Sequence, residues 1–347
     1  MNPIIEATRQ WYRDAATAWD RFWFTPAPPQ TVALLRILGG AMIFYTHLAW
    51  GLQLNAFLGK DAWVDNATAL ELQRGWFTWS HLWYIDSPVL LWTAHLAALV
   101  VMAMFTLGLF TRTNGVLTCL LTLAYCHRLH GALFGLDQVN AMLAMYLMLA
   151  PCGDAYSLDR YFANLRNRGS ASTPAPTVMS NIAIRLIQLH LCILYLFGGI
   201  SKLRGDMWWD GSAVWFALAT LEYQSLNLTW LARFPWVIAL MTHVTIFWET
   251  FYCFMVWPKW SRPITLTLAF VVHGGIALAL GMKTFGLAMI IANLAFVSPE
   301  LVAKLVGRCF GKPTGQEFDR AGEGERNSAP ARVNKPSDRK VRMAASR

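Results

Sequence analysis

The sequence predicts an all-α protein, a polytopic integral membrane helix bundle of about eight transmembrane helices plus interfacial or re-entrant segments. Of its 347 residues, 56% are hydrophobic and only 14% are charged, whereas a typical soluble domain carries roughly 25% charged residues. The apolar residues fall into several separate runs of roughly twenty residues, the length of a helix that crosses a bilayer. The 17 tryptophans are typical of a chain that is anchored at two membrane interfaces.

Composition divides the chain into three regions. Residues 1–30 are predicted to be an N-terminal interfacial amphipathic segment, because arginines are mixed with tryptophans and phenylalanines ahead of a proline-rich break. Residues 31–306 are predicted to form the transmembrane domain. Residues 307–347 are poor in aromatic residues and rich in Gly, Pro, Ser and charge, so we expect a disordered basic cytoplasmic tail.

Eight apolar runs within the second region predict the transmembrane helices. They lie at about residues 31–52, 88–110, 115–133, 136–150, 181–203, 235–257, 263–280 and 284–306. Residues 53–87 form a long aromatic connection that should pack at the interface. Residues 206–234 are half apolar and are predicted to lie across the membrane or dip into it. The polar stretch at residues 152–180 marks a seam between two halves.

Positive charge sets the predicted orientation. Much of the net charge of +9 lies in the third region and at loop ends, where the positive-inside rule expects it. This bias places both termini in the cytoplasm and Lys202 on the external side of the cell membrane. The same distribution explains the charge without a nucleic-acid partner, so the expected partner is the lipid bilayer.

The stretch around Lys202 is the most informative one for chemistry. A long apolar run reaches Gly198 and Gly199 and ends on Lys202, which is followed by charged residues and tryptophans. A lysine at the mouth of an apolar helix is partly desolvated, which favours its neutral form and makes it a usable general base. The alternative is an interfacial lysine that extends its charge to the headgroups.

Further polar residues within or beside the predicted spans are candidates for intramembrane function. They are His127, Arg128, Asp137, His190, His243 and Glu249. Ionisable groups at this depth should face the bundle interior, and we expect Arg128 and Asp137 to share one polar cluster. Histidines there bind metal, relay protons or hydrogen-bond across helices, and Glu249 is either half of a structural ion pair or a proton-handling acid. The sequence lacks an HExxH-type spacing, so no metal site is expected.

Three blocks together resemble one family. They are FGLDQVNAMLAMYLMLAPCGDAYSLDR, YLFGGISKLRGDMWWDG and WSRPITLTLAFVVHGGIALALGMKTF. Their order and spacing, over about residues 29–300, resemble the HTTM (horizontally transferred transmembrane) domain. That domain is the membrane part of vitamin K-dependent gamma-carboxylases and their bacterial relatives. The resemblance implies that Lys202 stands where those enzymes carry a catalytic base that acts in the oxygenation of reduced vitamin K.

The resemblance also implies two assisting histidines. His130 resembles a functional histidine of that region, with His127 as a rival for the match, and His273 resembles the histidine ahead of the Gly-Met segment. The expected function is therefore a quinone-linked oxidoreductase or carboxylase-like enzyme with a reduced, vitamin K-like lipid quinone as cofactor. Few residues follow the last predicted span, so we expect no counterpart of the large C-terminal luminal domain of the carboxylases. The alternative is therefore a non-enzymatic membrane carrier or a lipid- or small-molecule-binding subunit.

Overall fold

The fold is helical throughout, as predicted. The computed structural model describes residues 3–167 and 174–310. Within these residues the only paired extended backbone is an isolated antiparallel bridge between Ala27 and Thr177. The helices are α1 (Pro3–Phe24), α2 (Gln30–Trp50), α3 (Leu54–Leu58), α4 (Asn66–Leu72), α5 (Pro88–Leu107), α6 (Thr111–Arg128), α7 (Gly135–Leu147), α8 (Leu158–Arg166), α9 (Val178–Lys202), α10 (Asp206–Trp209), α11 (Ala213–Ala219), α12 (Pro235–Met255), α13 (Arg262–Ala279), α14 (Lys283–Asn293) and α15 (Pro299–Phe310).

Five helical segments in the described part of the chain are long and apolar enough to cross a membrane. They are Gln30–Leu58, Pro88–Leu107, Val178–Lys202, Pro235–Met255 and Arg262–Ala279. They correspond to the first, second, fifth, sixth and seventh predicted spans. A sixth is counted if Lys283–Phe296 and Pro299–Cys309, which meet at 118°, form one broken span. The predicted number of eight is therefore too high.

The three remaining predicted spans differ from single long apolar helices for separate reasons. The third corresponds to α6, whose buried residues include Asn114, Thr118 and Thr122, so its apolarity is too low. The fourth corresponds to α7, whose 13 residues are about 20 Å long, short of the roughly 30 Å hydrocarbon core. The eighth is divided before Pro299, because a proline disfavours helical geometry in the residue that precedes it.

The short helix α7 lies in the centre of the bundle, where it packs against α2, α6, α9 and α14. Leu136, Val139, Leu143 and Leu147 on this helix are all at most 3% exposed. Because its neighbours cover its side chains, α7 needs no lipid contact and can be shorter than the bilayer. Large apolar side chains on α5, α9, α12 and α13 are exposed instead, as expected of surfaces that face lipid.

The end of α1, the start of α9 and the segment ahead of α15 lie at the same end of the bundle, which we call the near end. Asn181 Nδ2 at the start of α9 donates to the carbonyl oxygen of Phe22 at 2.8 Å. Thr31 Oγ1 at the start of α2 donates to the carbonyl oxygen of Val297 at 3.2 Å. The opposite end, where α9 stops at Lys202, is the far end.

The structure agrees only in part with the predictions for the first and third regions. The first contains α1, whose side chains are exposed until Phe22 and Trp23, which are half-buried. The Arg185 guanidinium carbon lies 4.4 Å from the centroid of the Phe22 ring, so the end of α1 packs on α9. In the third region, residues 307–310 continue α15, and the remainder of the predicted tail lies outside the described residues.

Candidate functional site

An ion pair joins α9 and α12 at the far end. Lys202 Nζ lies 2.6 Å from Glu249 Oε2, and the two side chains are 28% and 11% exposed. Lys202 is the last residue of α9, whereas Glu249 is well inside α12. The lysine therefore pairs with a carboxylate that lies inside the bundle.

Two glycines allow α9 and α12 to touch beside this pair. A Cβ on Gly199 would lie 2.6 Å from Thr250 Oγ1 and 2.7 Å from the Thr250 Cα and N atoms. A Cβ on Gly198 would lie 3.4 Å from Glu249 Oε2 and 3.8 Å from Lys202 Nζ. The backbones approach as closely as glycine permits, and the pair is short because the helices are in contact.

The segment after α9 covers the pair from the far end. Lys202 Nζ lies 5.5 Å from the centroid of the Trp208 ring, within the range of a cation–π contact. Trp209 Nε1 donates to the carbonyl oxygen of Leu203 at 2.8 Å, which ties α10 to the end of α9. The ammonium group therefore has an anion on one side and an aromatic ring on another.

A second set of polar side chains lies deeper in the bundle. Tyr195 precedes Lys202 by seven residues, which places it on the same face of α9 about 10 Å away along the axis. Its hydroxyl lies 2.8 Å from His273 Nε2 on α13 and accepts from Asn293 Nδ2 on α14 at 2.8 Å. Tyr252 on α12, one turn beyond Glu249, donates from its hydroxyl to Asn293 Oδ1 at 2.6 Å. Four helices thus meet in one hydrogen-bonded chain, which we call the tyrosine–histidine chain.

Three predicted histidines lie in other contacts. His190 Nδ1 lies 3.0 Å from the Tyr146 hydroxyl. His243 Nε2 lies 3.2 Å from the carbonyl oxygen of Trp209. His127 Nδ1 lies 2.9 Å from the carbonyl oxygen of Trp79 in the long aromatic connection. These contacts fasten neighbouring segments, and none of them includes Lys202.

His130 is described by its backbone alone. It opens a short 3-10 turn, His130–Ala132, directly after α6. Its side chain is outside the described part of the structure, so its assisting role stays a prediction.

The predicted cluster of Arg128 and Asp137 is wrong, because the two residues have different partners. Arg128 donates from Nε to Asn66 Oδ1 at 3.0 Å and from Nη2 to the carbonyl oxygen of Val64 at 2.8 Å. Asp137 Oδ2 accepts from the backbone N–H of Phe134 at 3.0 Å. Arg128 therefore holds the aromatic connection. Asp137 caps α7, because a carboxylate is stabilising at the N-terminus of a helix.

A separate buried cluster in the first half was missed by the sequence interpretation. His95 Nδ1 on α5 lies 2.8 Å from the Tyr125 hydroxyl on α6. His47 on α2 donates from Nδ1 to the carbonyl oxygen of Ile43 at 2.8 Å, and its ring centroid is 4.7 Å from that of Tyr125. All three side chains are at most 2% exposed. No spacing of residues in the sequence predicts this cluster, because its members come from three helices.

A surface cavity of about 540 Å³ lies at the far end, beside α10, α11 and the start of α12. Asp210, Trp215, Trp236 and Ala239 are among its lining residues. Ala239 lies ten residues before Glu249 on α12, a distance of about 15 Å. The cavity is therefore separate from the ion pair.

No three His, Cys, Asp or Glu side chains among the described residues come together in a group that could hold a metal ion. No protein-family profile, curated protein or solved structure matches the chain.

Proposed function

We propose that the chain is a multi-pass membrane enzyme that takes a proton from a lipid-soluble substrate of the reduced quinone class, with Lys202 as the base. It would be a quinone-linked oxidoreductase or carboxylase-like enzyme. The observation that carries the proposal is the 2.6 Å contact between Lys202 and Glu249 at the end of an apolar helix. A lysine held beside a carboxylate, away from bulk water, has a proton acceptor at contact distance.

Glu249 explains how Lys202 becomes a base. An ammonium group cannot accept a proton, so the lysine must first be neutral. Within the pair, the proton on Nζ moves to Glu249 Oε2, and a charged pair becomes a neutral one. In a low-dielectric setting, a neutral pair competes with a charged pair better than it does in water. The neutral amine then accepts a proton from a substrate hydroxyl, which leaves the substrate as an oxyanion.

The substrate class follows from the membrane setting and from the family resemblance. A lipid quinol reaches the pair from the bilayer, and its hydroxyl protons are the acidic hydrogens available to a base. The side chain of Lys202 is 28% exposed, so its amine is accessible to such a molecule. In this proposal His273 assists through the Tyr195 hydroxyl, and His130 assists from the turn after α6.

The test compares Lys202→Arg and Lys202→Met for quinol consumption or epoxide formation in membranes. Arginine keeps the charge and the ion pair but cannot become neutral. Both variants should therefore lose activity by about 10²-fold or more, the usual contribution of a general base. His190→Phe is the matched control, because it removes a hydrogen-bonded intramembrane histidine that does not contact the pair. Full activity of Lys202→Arg would show that a fixed cation is sufficient and that Lys202 is not the base.

The proposed location is the cell membrane, with both termini in the cytoplasm. Two observations support this orientation. The end of α1 and the segment ahead of α15 lie at the near end, and so do Arg21, Arg185 and Arg262 on α1, α9 and α13. Positive charge favours the cytoplasmic side.

The orientation is tested with single cysteines in a cysteine-free background. A cysteine introduced at Ser328 should resist a membrane-impermeant thiol reagent in intact cells. A cysteine at Trp63, whose side chain is 76% exposed, should react. Equal labelling of the two sites would contradict the proposed orientation.

The second candidate function is a non-enzymatic carrier or small-molecule-binding subunit. The cavity of about 540 Å³ beside α10 and α11 favours it, because tryptophans and an aspartate line a concave surface. This function predicts ligand binding that Trp236→Ala weakens while Lys202→Arg leaves it unchanged. If the parent protein turns over no quinol, this candidate becomes the better one.

A further inference from the structure

Another cavity, of about 190 Å³, lies between α4 and the end of α6, beside the aromatic connection. The exposed residues among those that line it, Trp63, Leu72 and Gly131, mark its mouth. The buried ones, Ala69 and Arg128, are 4% and 2% exposed and mark its floor. The cavity therefore leads from the surface of the protein to a buried guanidinium group.

The Arg128 guanidinium has hydrogen-bond donors left over at this floor. It carries five N–H groups, of which one on Nε donates to Asn66 Oδ1 and one on Nη2 donates to the carbonyl oxygen of Val64. Both acceptors belong to the aromatic connection, so these contacts use the edge that Nε and Nη2 share. Nη1 makes no hydrogen bond among the described contacts. The edge between Nη1 and Nη2 therefore keeps two parallel N–H donors, the arrangement that pairs with a carboxylate.

The charge of Arg128 also lacks an anion in contact with it. Neither ion pair within the described ranges includes this residue. Asp65 lies within electrostatic range of Arg128, but its Oδ1 accepts from the backbone N–H of Thr68 at 2.6 Å and caps α4. Buried charges in proteins are usually paired, because an unpaired one is costly. An anionic group in the cavity would supply the missing partner.

The walls of the cavity restrict which anion fits. The rings of Phe57 and Trp63 lie 4.9 Å apart between centroids, and both line the cavity together with Leu72 and Leu129. Arg128 has the sole charged side chain among the described lining residues. A phosphate group has three terminal oxygens, and those that did not meet the guanidinium would face apolar walls at a cost. A carboxylate has two oxygens, which match the two parallel donors.

The size of the cavity limits the rest of the ligand. A cavity of about 150 Å³ in another protein binds benzene, so about 190 Å³ holds one ring or a short chain. A Cβ on Gly131 would meet no atom within 4 Å, which shows open space at the mouth. The backbone φ of Gly131 is outside the positive range, so a larger side chain there causes no backbone strain and would occupy the entrance.

We infer that this cavity binds the carboxylate group of a small apolar acid, with the Arg128 guanidinium as its partner and the Phe57 and Trp63 rings beside its apolar body. The cavity includes neither Lys202 nor Glu249, so the inference is independent of the proposed function. The acid comes either from water, as a one-ring acid, or from the membrane, as a fatty acid whose chain leaves through the mouth. Both sources present the same group to Arg128.

The first test measures binding of phenylacetate to the full chain in phosphatidylcholine nanodiscs, by ligand-observed NMR with competitors. Phenylacetamide lacks the charge and phenylphosphonate adds an oxygen, so each should bind at least about tenfold more weakly than phenylacetate. Dodecanoate is the second probe. If dodecanoate binds and phenylacetate does not, the acid comes from the membrane and the site stands. Binding of neither acid, or equal binding of the amide or the phosphonate, would overturn the inference.

The second test locates the binding in the cavity. Arg128→Lys keeps the charge but loses the two-donor edge, so binding should fall at least about tenfold. Because this change also removes contacts to the aromatic connection, Gly131→Leu is the variant that leaves Arg128 and its contacts in place. It should melt like the parent and lose binding to a similar extent. Gly307→Leu, the same change at another glycine with open space around its Cβ position, should bind like the parent.

The outcome at Gly131 decides the location. Undiminished binding in a Gly131→Leu variant that melts like the parent would show that the acid binds elsewhere. Lys202→Met should bind phenylacetate as the parent does, so loss of the proposed base and loss of this site are measured separately.

Discussion

The two halves of the bundle each bury a histidine–tyrosine hydrogen bond of 2.8 Å, between His95 and Tyr125 in the first half and between His273 and Tyr195 in the second. In the first half the neighbouring rings are those of His47, Trp50 and Trp92, and the contact joins α5 to α6. In the second half the chain continues through Asn293, and an ion pair lies on the same face of α9. The same pair of side chains therefore packs helices in one place and lies on the same helix face as an ion pair in the other. The Lys202–Glu249 pair and the continuation through Asn293 distinguish the second contact from the first.

The largest expected effect tests whether the second half depends on its charges. Glu249→Leu leaves the Lys202 cation beside an apolar side chain, and breaking a buried pair in this way costs about 3–5 kcal/mol. The double variant Lys202→Met/Glu249→Leu removes both charges and should recover most of that loss. Reversible unfolding in detergent measures the free energy of each variant. If Glu249→Leu is as stable as the parent, the pair is solvated and the contrast between the halves disappears.

The next effect tests whether the first half is structural only. Tyr125→Phe leaves His95 Nδ1 without its partner in a site that is fully buried. The free energy of unfolding should fall by about 1–3 kcal/mol, the cost of an unsatisfied buried group. Quinol turnover of the surviving folded protein should equal that of the parent. A turnover defect at full folding would mean that the first half also contains functional groups.

The smallest effect concerns a carboxylate of the first half that lies outside the spans. Burial alone would raise the pKa of Asp159, but the Thr111 hydroxyl and the N–H groups of Thr111 and Phe110 donate to it and hold the pKa below its usual range. A lowered pKa in the folded state stabilises the fold above the unfolded value of about 3.9, and this stability is lost as pH falls through the folded pKa.

Asp159→Asn should therefore be less stable than the parent at pH 7 by about 1 kcal/mol, as for loss of a helix cap. The difference should shrink as the pH falls below about 4. Thermal melting of both proteins between neutral and acid pH measures it. Asp154→Asn is the control, since Asp154 has no such set of donors among the described contacts. A difference that stays constant with pH would show that the Asp159 charge is not involved.

The features that sequence reasoning could predict are those that depend on local composition. The first, second, fifth, sixth and seventh spans follow from uninterrupted apolar runs, and Lys202 was singled out because an apolar helix ends on it. Helix α7 was extended too far because central burial lets a helix be shorter than the bilayer. The count of eight failed for the same reason, and because polar side chains of α6 turn inward.

The features that could not be predicted depend on contacts between distant segments. Glu249 was a candidate, but nothing in the sequence pairs it with Lys202, 47 residues away. The contact between Tyr195 and His273 joins residues 78 apart. The grouping of Arg128 with Asp137 depends on their nearness in sequence, yet Arg128 pairs with the distant residues Asn66 and Val64 and Asp137 pairs with the adjacent backbone of Phe134. Contacts of this kind depend on how distant helices pack against each other, which no local sequence pattern specifies.

The backbone contact at Gly199 fixes the distance between α9 and α12. It thereby sets the separation of the two helices at the Lys202–Glu249 pair, one turn away. A single added carbon, as in Gly199→Ala, would meet Thr250 at 2.6 Å and force the helices apart. Choosing other side chains at the ion pair cannot restore the separation, because the obstacle is main-chain. The separation of Lys202 and Glu249 therefore depends on the absence of a side chain at Gly199. A substitution at Gly199 can therefore change the distance between Lys202 Nζ and Glu249 Oε2 without changing either partner of the pair.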